Sequence, residues 1–416
     1  MEATTLSTNV TRAISKEERR NQKNAVLAGF LGWTLDAFDF FILTFALATV
    51  AKDFNRTIPE IALTLTASLA MRPVGAFIFG LMADRFGRKG PLMINIIFYS
   101  IIEIFSGLAP NYTVFLILRL LYGIGMGGEW GVGASLVMES VPAKRRGFLS
   151  GLLQEGYAFG FLLAAAVYYL VFPHFGWRAM FFIGGLPALL TLFIRSKVKE
   201  TAAWKATRTR DWKEYGNAVK KNWKLFLYLV LLMSAMNLIS HGTQDLYPTF
   251  LQQQRHFDPH KTAVITMISM VGAILGGLLF GHLSDLHGRK KMMALAVILA
   301  IVLIPLWLLA NGSFLIALGA FGMQFMVQGA WGIIPAHINE LSPGSLRGFF
   351  PGFAYQIGVL IASAIVYVEA LLAQYVSYST SMEILAGSVL VLAAIVILAG
   401  PEARGIHFNP NHQKTE

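Results

Sequence analysis

Residues 80–90 read GLMADRFGRKG, and residues 281–291 read GHLSDLHGRKK. Gly80, Asp84, Gly87, Arg88 and Lys89 of the first recur as Gly281, Asp285, Gly288, Arg289 and Lys290 of the second, an offset of 201 residues. The same offset sets Gly128, Trp130 and Gly131 against Gly329, Trp331 and Gly332. It also sets Glu139, Pro142, Arg146 and Gly147 against Glu340, Pro343, Arg347 and Gly348. One gap-free offset across three separated blocks marks an internal duplication.

Composition says what kind of unit is duplicated. Of 416 residues, 55% are hydrophobic and only 14% charged, with a mean hydropathy of +0.58. A soluble chain usually carries about 25% charged residues. Here the charges cluster between long apolar runs, which is the pattern of a multi-pass membrane protein. Twelve apolar spans are expected, the first at 24–50 and the last at 383–400, and the longest internal polar stretch, 197–223, divides them six and six. The sequence thus predicts an all-α membrane protein whose twelve transmembrane helices form two pseudo-symmetric six-helix bundles. The expected divisions are an N-terminal tail (1–23), a first bundle (24–196), a linker (197–223), a second bundle (224–401) and a C-terminal tail (402–416).

Cysteine is absent, which excludes disulfides and thiolate metal sites. The polar segment 1–23 lacks the apolar core of a signal peptide. Of the 34 Lys and Arg, only Lys52, Arg56, Arg178, Arg255 and Lys261 fall in loops on one side, and Arg72 and Arg119 fall within spans. The rest lie on the side of the linker and both tails, which is therefore expected to be cytoplasmic. This asymmetry accounts for the net charge of +11 without a nucleic-acid partner. The lipid bilayer is the expected environment, a bacterial-type cytoplasmic membrane the expected location, and a monomer the expected functional unit.

A duplicated six-span unit with a basic central loop, carrying GLMADRFGRKG after span 2 and its echo after span 8, resembles the major facilitator superfamily over the whole chain. That resemblance implies alternating access around a midplane site between the bundles. It does not name a substrate. The motif has its own physical reading. Gly80 and Gly281 permit close helix contact. Asp84 and Asp285, at helix ends, can pair with Arg85, Arg88 or Arg289 or cap a helix of the opposite bundle. Such contacts close one end of the molecule in one state and break in the other.

Ionisable groups inside spans are site candidates by default, since each costs about 2.5–3.5 kcal/mol on insertion scales. In NLISHGTQDLYPT (237–249), Asn237, Ser240, His241, Gln244 and Asp245 fall on one helical face. Pro248 removes the donor that would serve the Gln244 carbonyl. The stretch fits N-x-x-[S/T]-H-x-[S/T]-Q-D-x-x-x-T at every fixed position, and so resembles the signature of Jen-type lactate/monocarboxylate–proton symporters, close to the sialate symporters. The resemblance implies that Asn237, His241, Gln244 and Asp245 shape the substrate route, supported by Ser240, Thr243 and Thr249. GWTLDAFDFF (32–41) and LQEGYAFGFLLA (153–164) look like the same group.

Arg119 opens span 4 in the half shared with His241 and Asp245. Its planar guanidinium suits a carboxylate, so it is the expected anion-binding residue. An ion pair with Asp36 or Glu129 is the alternative. Asp36 and Asp39, at i and i+3 in span 1, resist ionising together in a medium of low dielectric constant. They are the first candidates for proton coupling, ahead of Glu129 and then the His241–Asp245 pair. The offset matches them to Asn237 and Ser240, which places both polar pairs on facing cavity helices. Arg72 is expected to balance Asp36 or Asp39 in a structural role, and Glu103 to be peripheral. Tyr157 is a cavity-lining candidate, and Gln324 and Gln328 can hold a substrate hydroxyl. Trp130 and Trp331 read as packing.

The expected function is proton-coupled symport of a short monocarboxylate such as lactate or pyruvate. The alternative is a larger organic acid such as sialate or an aromatic acid. Neither a G-x-x-x-x-G-K-[ST] loop nor H-E-x-x-H occurs, so ATP-driven transport and zinc hydrolysis have no support. No enzyme activity and no cofactor beyond a co-transported proton are expected.

Overall fold

The structure is a computed structural model that describes residues 16–208 and 211–408. The first bundle holds α1 (Lys16–Asp53), α2 (Ile58–Phe86), α3 (Lys89–Gly107), α4 (Tyr112–Ser140), α5 (Arg146–Gln154), α6 (Gly156–Ile183) and α7 (Ala188–Lys197). Two short helices, α8 (Ala202–Thr207) and α9 (Trp212–Lys221), lie in the linker. The second bundle holds α10 (Trp223–Gln244), α11 (Tyr247–Gln253), α12 (Pro259–His287), α13 (Arg289–Leu308), α14 (Ser313–Leu341), α15 (Phe350–Ala362), α16 (Ile365–Leu372) and α17 (Tyr378–Ala399). Nine stretches among the described residues are long and apolar enough to cross a bilayer. One of them, Ala143–Lys197, contains two spans, while α4 and the broken pair α15–α16 complete the twelve.

Several spans are broken where the sequence reads as continuous. Span 5 breaks at Glu155, and the chain turns into span 6 at Gly176, whose φ of 72° suits glycine. Span 7 stops at Gln244 and restarts as α11, because Pro248 cannot continue the backbone ladder to residue 244. Span 11 breaks between Ala362 and Ile365. Broken helices inside a membrane bundle are tolerated where they line a cavity or a gate.

Within each bundle the helices meet through small residues. A Cβ at Gly123 would lie 2.1 Å from the Ser68 carbonyl oxygen, and one at Gly127 would lie 1.9 Å from that of Arg72, so α4 lies directly on α2. In the second bundle Gly276 of α12 approaches the Phe325 carbonyl of α14 in the same way. Apolar side chains such as Leu189, Leu192, Val302 and Leu398 point outward, as a lipid-facing surface requires.

The hydrogen bonds found between the bundles gather at the end that carries the linker. Asp84 accepts from the backbone amides of Gly348 (2.6 Å) and Phe349 (3.1 Å), and from the Arg88 guanidinium (2.6 Å). Asp285 repeats the arrangement with Gly147 (2.8 Å), Phe148 (3.0 Å) and Arg289 (2.7 Å). Glu139 takes Arg88 of its own bundle (2.9 Å) and Arg347 of the other (3.4 Å). Glu340 takes Arg289 of its own (2.9 Å) and Arg146 of the other (2.7 Å). The duplicated motif is thus a reciprocal lock, each acid binding across the interface to the opposite half. Arg85 stands outside it, with its guanidinium 5.1 Å from the Trp212 ring of the linker. Glycines make the lock possible: a Cβ at Gly281 would lie 2.6 Å from the Gly147 carbonyl, and one at Gly131 would lie 2.4 Å from the Gly352 Cα. The deepest of these contacts is a long 3.5 Å approach of Gln356 to the Gly127 carbonyl.

Candidate substrate and proton site

Aromatic rings floor the space above the lock. Trp130 and Tyr355 lie 4.3 Å apart between centroids, Trp33 stands 6.4 Å from Tyr355, and Tyr157 stacks on Trp33 at 5.7 Å. Tyr157 is partly exposed, as a cavity wall should be. Trp331 stands 5.9 Å from Tyr355, so Trp130 and Trp331, read as packing residues, meet at the junction of the bundles.

On the first bundle's side, Arg72, Asp36 and Glu129 are all buried. Arg72 Nη2 stands 3.7 Å from Asp36 Oδ2, longer than a hydrogen bond. Its Nε and Nη2 have no hydrogen-bond partner among the described residues, nor do the carboxylates of Asp36 and Glu129. Arg72 also lies within electrostatic reach of Glu129, Tyr157 and Tyr355. Arg72, expected to be structural, is thus a buried guanidinium with unused donors beside the cavity floor.

Arg119 is placed differently from expectation. It points at α3 and α6, donating to Glu103 (2.5 Å) and Ser106 (2.6 Å) and lying over the rings of Tyr122 and Phe181. It is 1% exposed, so it is held inside the first bundle and not presented to the cavity. Its partner is neither Asp36 nor Glu129. Glu103, read as peripheral, is fully buried and forms this ion pair. The reason is rotational: Glu103 falls on the inward face of α3, where Arg119 of the adjacent α4 can neutralise it.

Asp36 and Asp39 do not share a destination. Asp36 turns to Arg72, while Asp39 turns to Glu103, both of the latter pair packing against Gly184. Both aspartates are fully buried. The offset set these two aspartates against Asn237 and Ser240 on facing helices; none of the carboxylate oxygens of Asp36 and Asp39 has a hydrogen-bond partner among the described residues.

On the second bundle's side the stripe of α10 divides. His241 Nδ1 stands 2.9 Å from Asp245 Oδ2, and both side chains are more than a third exposed. Gln244 donates to Gln324 (2.7 Å), and Gln328 donates to Ser240 (3.2 Å), which ties α10 to α14. Gln324 also donates to Thr243. Asn237 is buried and donates to the Met233 carbonyl of its own helix (2.8 Å), away from the cavity. Trp331 donates to the Met236 carbonyl (3.0 Å). His241 and Asp245 are consequently the members of the stripe with polar groups free to meet a solute. No group of three or more His, Cys, Asp or Glu able to hold a metal occurs among the described residues.

Two bundles of apolar helices with charges buried among their spans, joined at one end by a duplicated lock, form a membrane carrier and not an enzyme. The family model of the Major Facilitator Superfamily matches residues 29–263 and 244–415, and the chain belongs to that superfamily. It is similar to a "Carboxylic acid transporter protein homolog" of Saccharomyces cerevisiae, 30% identical over 91% of this chain and 68% of that protein. It is also similar to the sialic acid transporter NanX of Escherichia coli, 29% identical over 94% of this chain and 96% of that protein. Among solved structures, the proton:xylose symporter XylE superposes with a TM-score of 0.75 at 18% identity, over 96% of this chain and 100% of that one, a likeness of fold alone.

Proposed function

We propose that the protein is a proton-coupled symporter of a short monocarboxylate such as lactate or pyruvate, working by alternating access in a bacterial-type cytoplasmic membrane. The linker and both tails face the cytoplasm in this reading, so the structure is closed toward the cytoplasm. The observation that carries the reading is Arg72: a buried guanidinium with unbonded donors, 3.7 Å from Asp36 and close to Glu129. A substrate carboxylate can dock there bidentately, with Tyr157 on the floor and His241 and Asp245 on the facing wall.

Charge balance supports proton coupling. The first bundle buries Asp36, Asp39, Glu103 and Glu129 against Arg72 and Arg119. Four acids against two guanidinia leave a net negative charge in a medium that penalises it. Protons remove that charge, and a substrate anion arriving at Arg72 increases the need for them. Co-transport of a proton also makes uptake of a lactate-like anion electroneutral. The names of the relatives, carboxylic acid and sialic acid transporters, support an organic acid as the substrate class. NanX, matched over 96% of its length, favours the second reading, a larger acid.

The test is uptake by reconstituted vesicles with a panel of radiolabelled acids, with and without a pH gradient. Accumulation of lactate that collapses with the gradient is expected. Arg72→Lys should lose most uptake, because a point charge cannot replace the planar fork. Gradient-independent accumulation removes proton coupling, and near-normal uptake by Arg72→Lys removes Arg72 from the site.

A further inference from the structure

One more carboxylate is sealed inside the molecule, in the second bundle, and the mechanism above does not use it. Glu369 of α16 is 0% exposed, and neither of its carboxylate oxygens has a hydrogen-bond partner among the described residues. Its Oε1 faces α10 at Gly242, where an added Cβ would stand 3.4 Å away, with Ile365 forming the apolar wall beside it. From α17 the contact is the Ser381 hydroxyl, which donates to the Glu369 backbone carbonyl (2.7 Å) and leaves the carboxyl free. Asp245, three residues after Gly242 at the C-terminal end of α10, is the nearest acid in the chain to that position and is paired with His241.

Among the described residues, an ionised Glu369 carboxylate would have no ion-pair partner and no hydrogen-bond donor. Burying such a charge is costly, and carrying a proton removes the cost. The place is also mechanically distinctive. The break in span 7, after Gln244, and the break in span 11, between Ala362 and Ile365, lie next to Gly242 and Glu369. Discontinuous helices are where transporter bundles form their substrate and ion sites.

We propose that Glu369 is a proton-binding group of the second bundle: it holds a proton in this conformation and passes it to Asp245 when α10 and α16 bend at their breaks. The O–H bond of the Glu369 carboxyl breaks as one forms on the Asp245 carboxylate, leaving Glu369 ionised. His241, 2.9 Å from Asp245, relays the proton to the cavity. This role rests on the proton-coupled reading above.

The test uses the full chain in lipid vesicles, comparing wild type, Glu369→Gln and Glu369→Asp. Infrared spectra at neutral pH should show a protonated-carboxyl band in wild type that is missing from Glu369→Gln. Substrate-driven proton uptake should be largely lost in Glu369→Gln, while counterflow of labelled lactate persists, since exchange needs no net proton movement. Glu369→Asp should restore both the band and proton uptake. An unchanged infrared band, or full proton uptake by Glu369→Gln, overturns the proposal. Equal loss of counterflow in Gln and Asp variants assigns a structural role and overturns it as well. A wild type that moves lactate without protons refutes the coupling reading, and the band still decides whether Glu369 holds a proton.

Discussion

Replacing Asp84 with Asn should open the lock at the linker end. Asp84 is buried and accepts two backbone N–H bonds across the interface, from Gly348 and Phe349. These are charge-assisted bonds at the start of α15, and each is worth about 1.5–3 kcal/mol. Asn has one acceptor oxygen, so one bond survives as a neutral one worth about 0.5–1.5 kcal/mol. The other amide then faces an NH₂ group. The closed state should lose about 3 kcal/mol relative to the open one, which is roughly a hundredfold in the equilibrium. The absence of cysteine from the chain supplies a clean reporter. Ser150 is buried and accepts from the Ala336 amide across the interface (3.0 Å), so Ser150→Cys is shielded only while the lock is shut. A water-soluble maleimide applied from the linker side should label Ser150→Cys at least about tenfold faster with Asp84→Asn, allowing for incomplete coupling. Asp285→Asn, its pseudo-symmetric partner, should behave alike. Equal labelling rates with and without Asp84→Asn would show that these bonds do not hold the closed state, and the reasoning would fail.

Two further outcomes follow from packing. Glu103→Gln breaks a fully buried ion pair and should destabilise the fold by about 3–5 kcal/mol; thermal unfolding in detergent measures this, and adding Arg119→Gln should cost less than the sum of the single changes. Gly127→Ala places a Cβ 1.9 Å from the Arg72 carbonyl, which forces α2 from α4 at about 1–3 kcal/mol and weakens substrate affinity, while Gly216→Ala in the open linker should change neither.

Much of the fold was legible in linear order. Apolar run length announces a span, and the 201-residue offset announces two equivalent halves, because duplication leaves spacing intact. The lock was foreseen for the same reason: Asp84, Arg88, Asp285 and Arg289 sit at fixed steps from helix ends, and the structure finds them there. The cross-bundle amides that Asp84 and Asp285 bind could not be read, since they come from 264 and 138 residues away.

The candidate site divides along the same line. Helical periodicity put His241 and Asp245 on one face, and they pair at one turn's spacing. It could not separate Asn237, which bonds back to its own helix, from its neighbours on that face. Nor could it say that Asp36 and Asp39, three residues apart, lie toward different helices, Asp36 toward Arg72 of α2 and Asp39 toward Glu103 of α3. An Arg and an acid in separate spans are visible as charges, but which acid neutralises which Arg depends on the rotation of packed helices about their axes. That rotation assigned Arg119 to Glu103 and left the donors of Arg72 unused. The sequence by itself determined how many helices cross, which residues are charged within them and where the halves correspond. Only the tertiary structure decided which charges cancel and which remain for a solute, because cancellation depends on distances between helices that the order of residues does not contain.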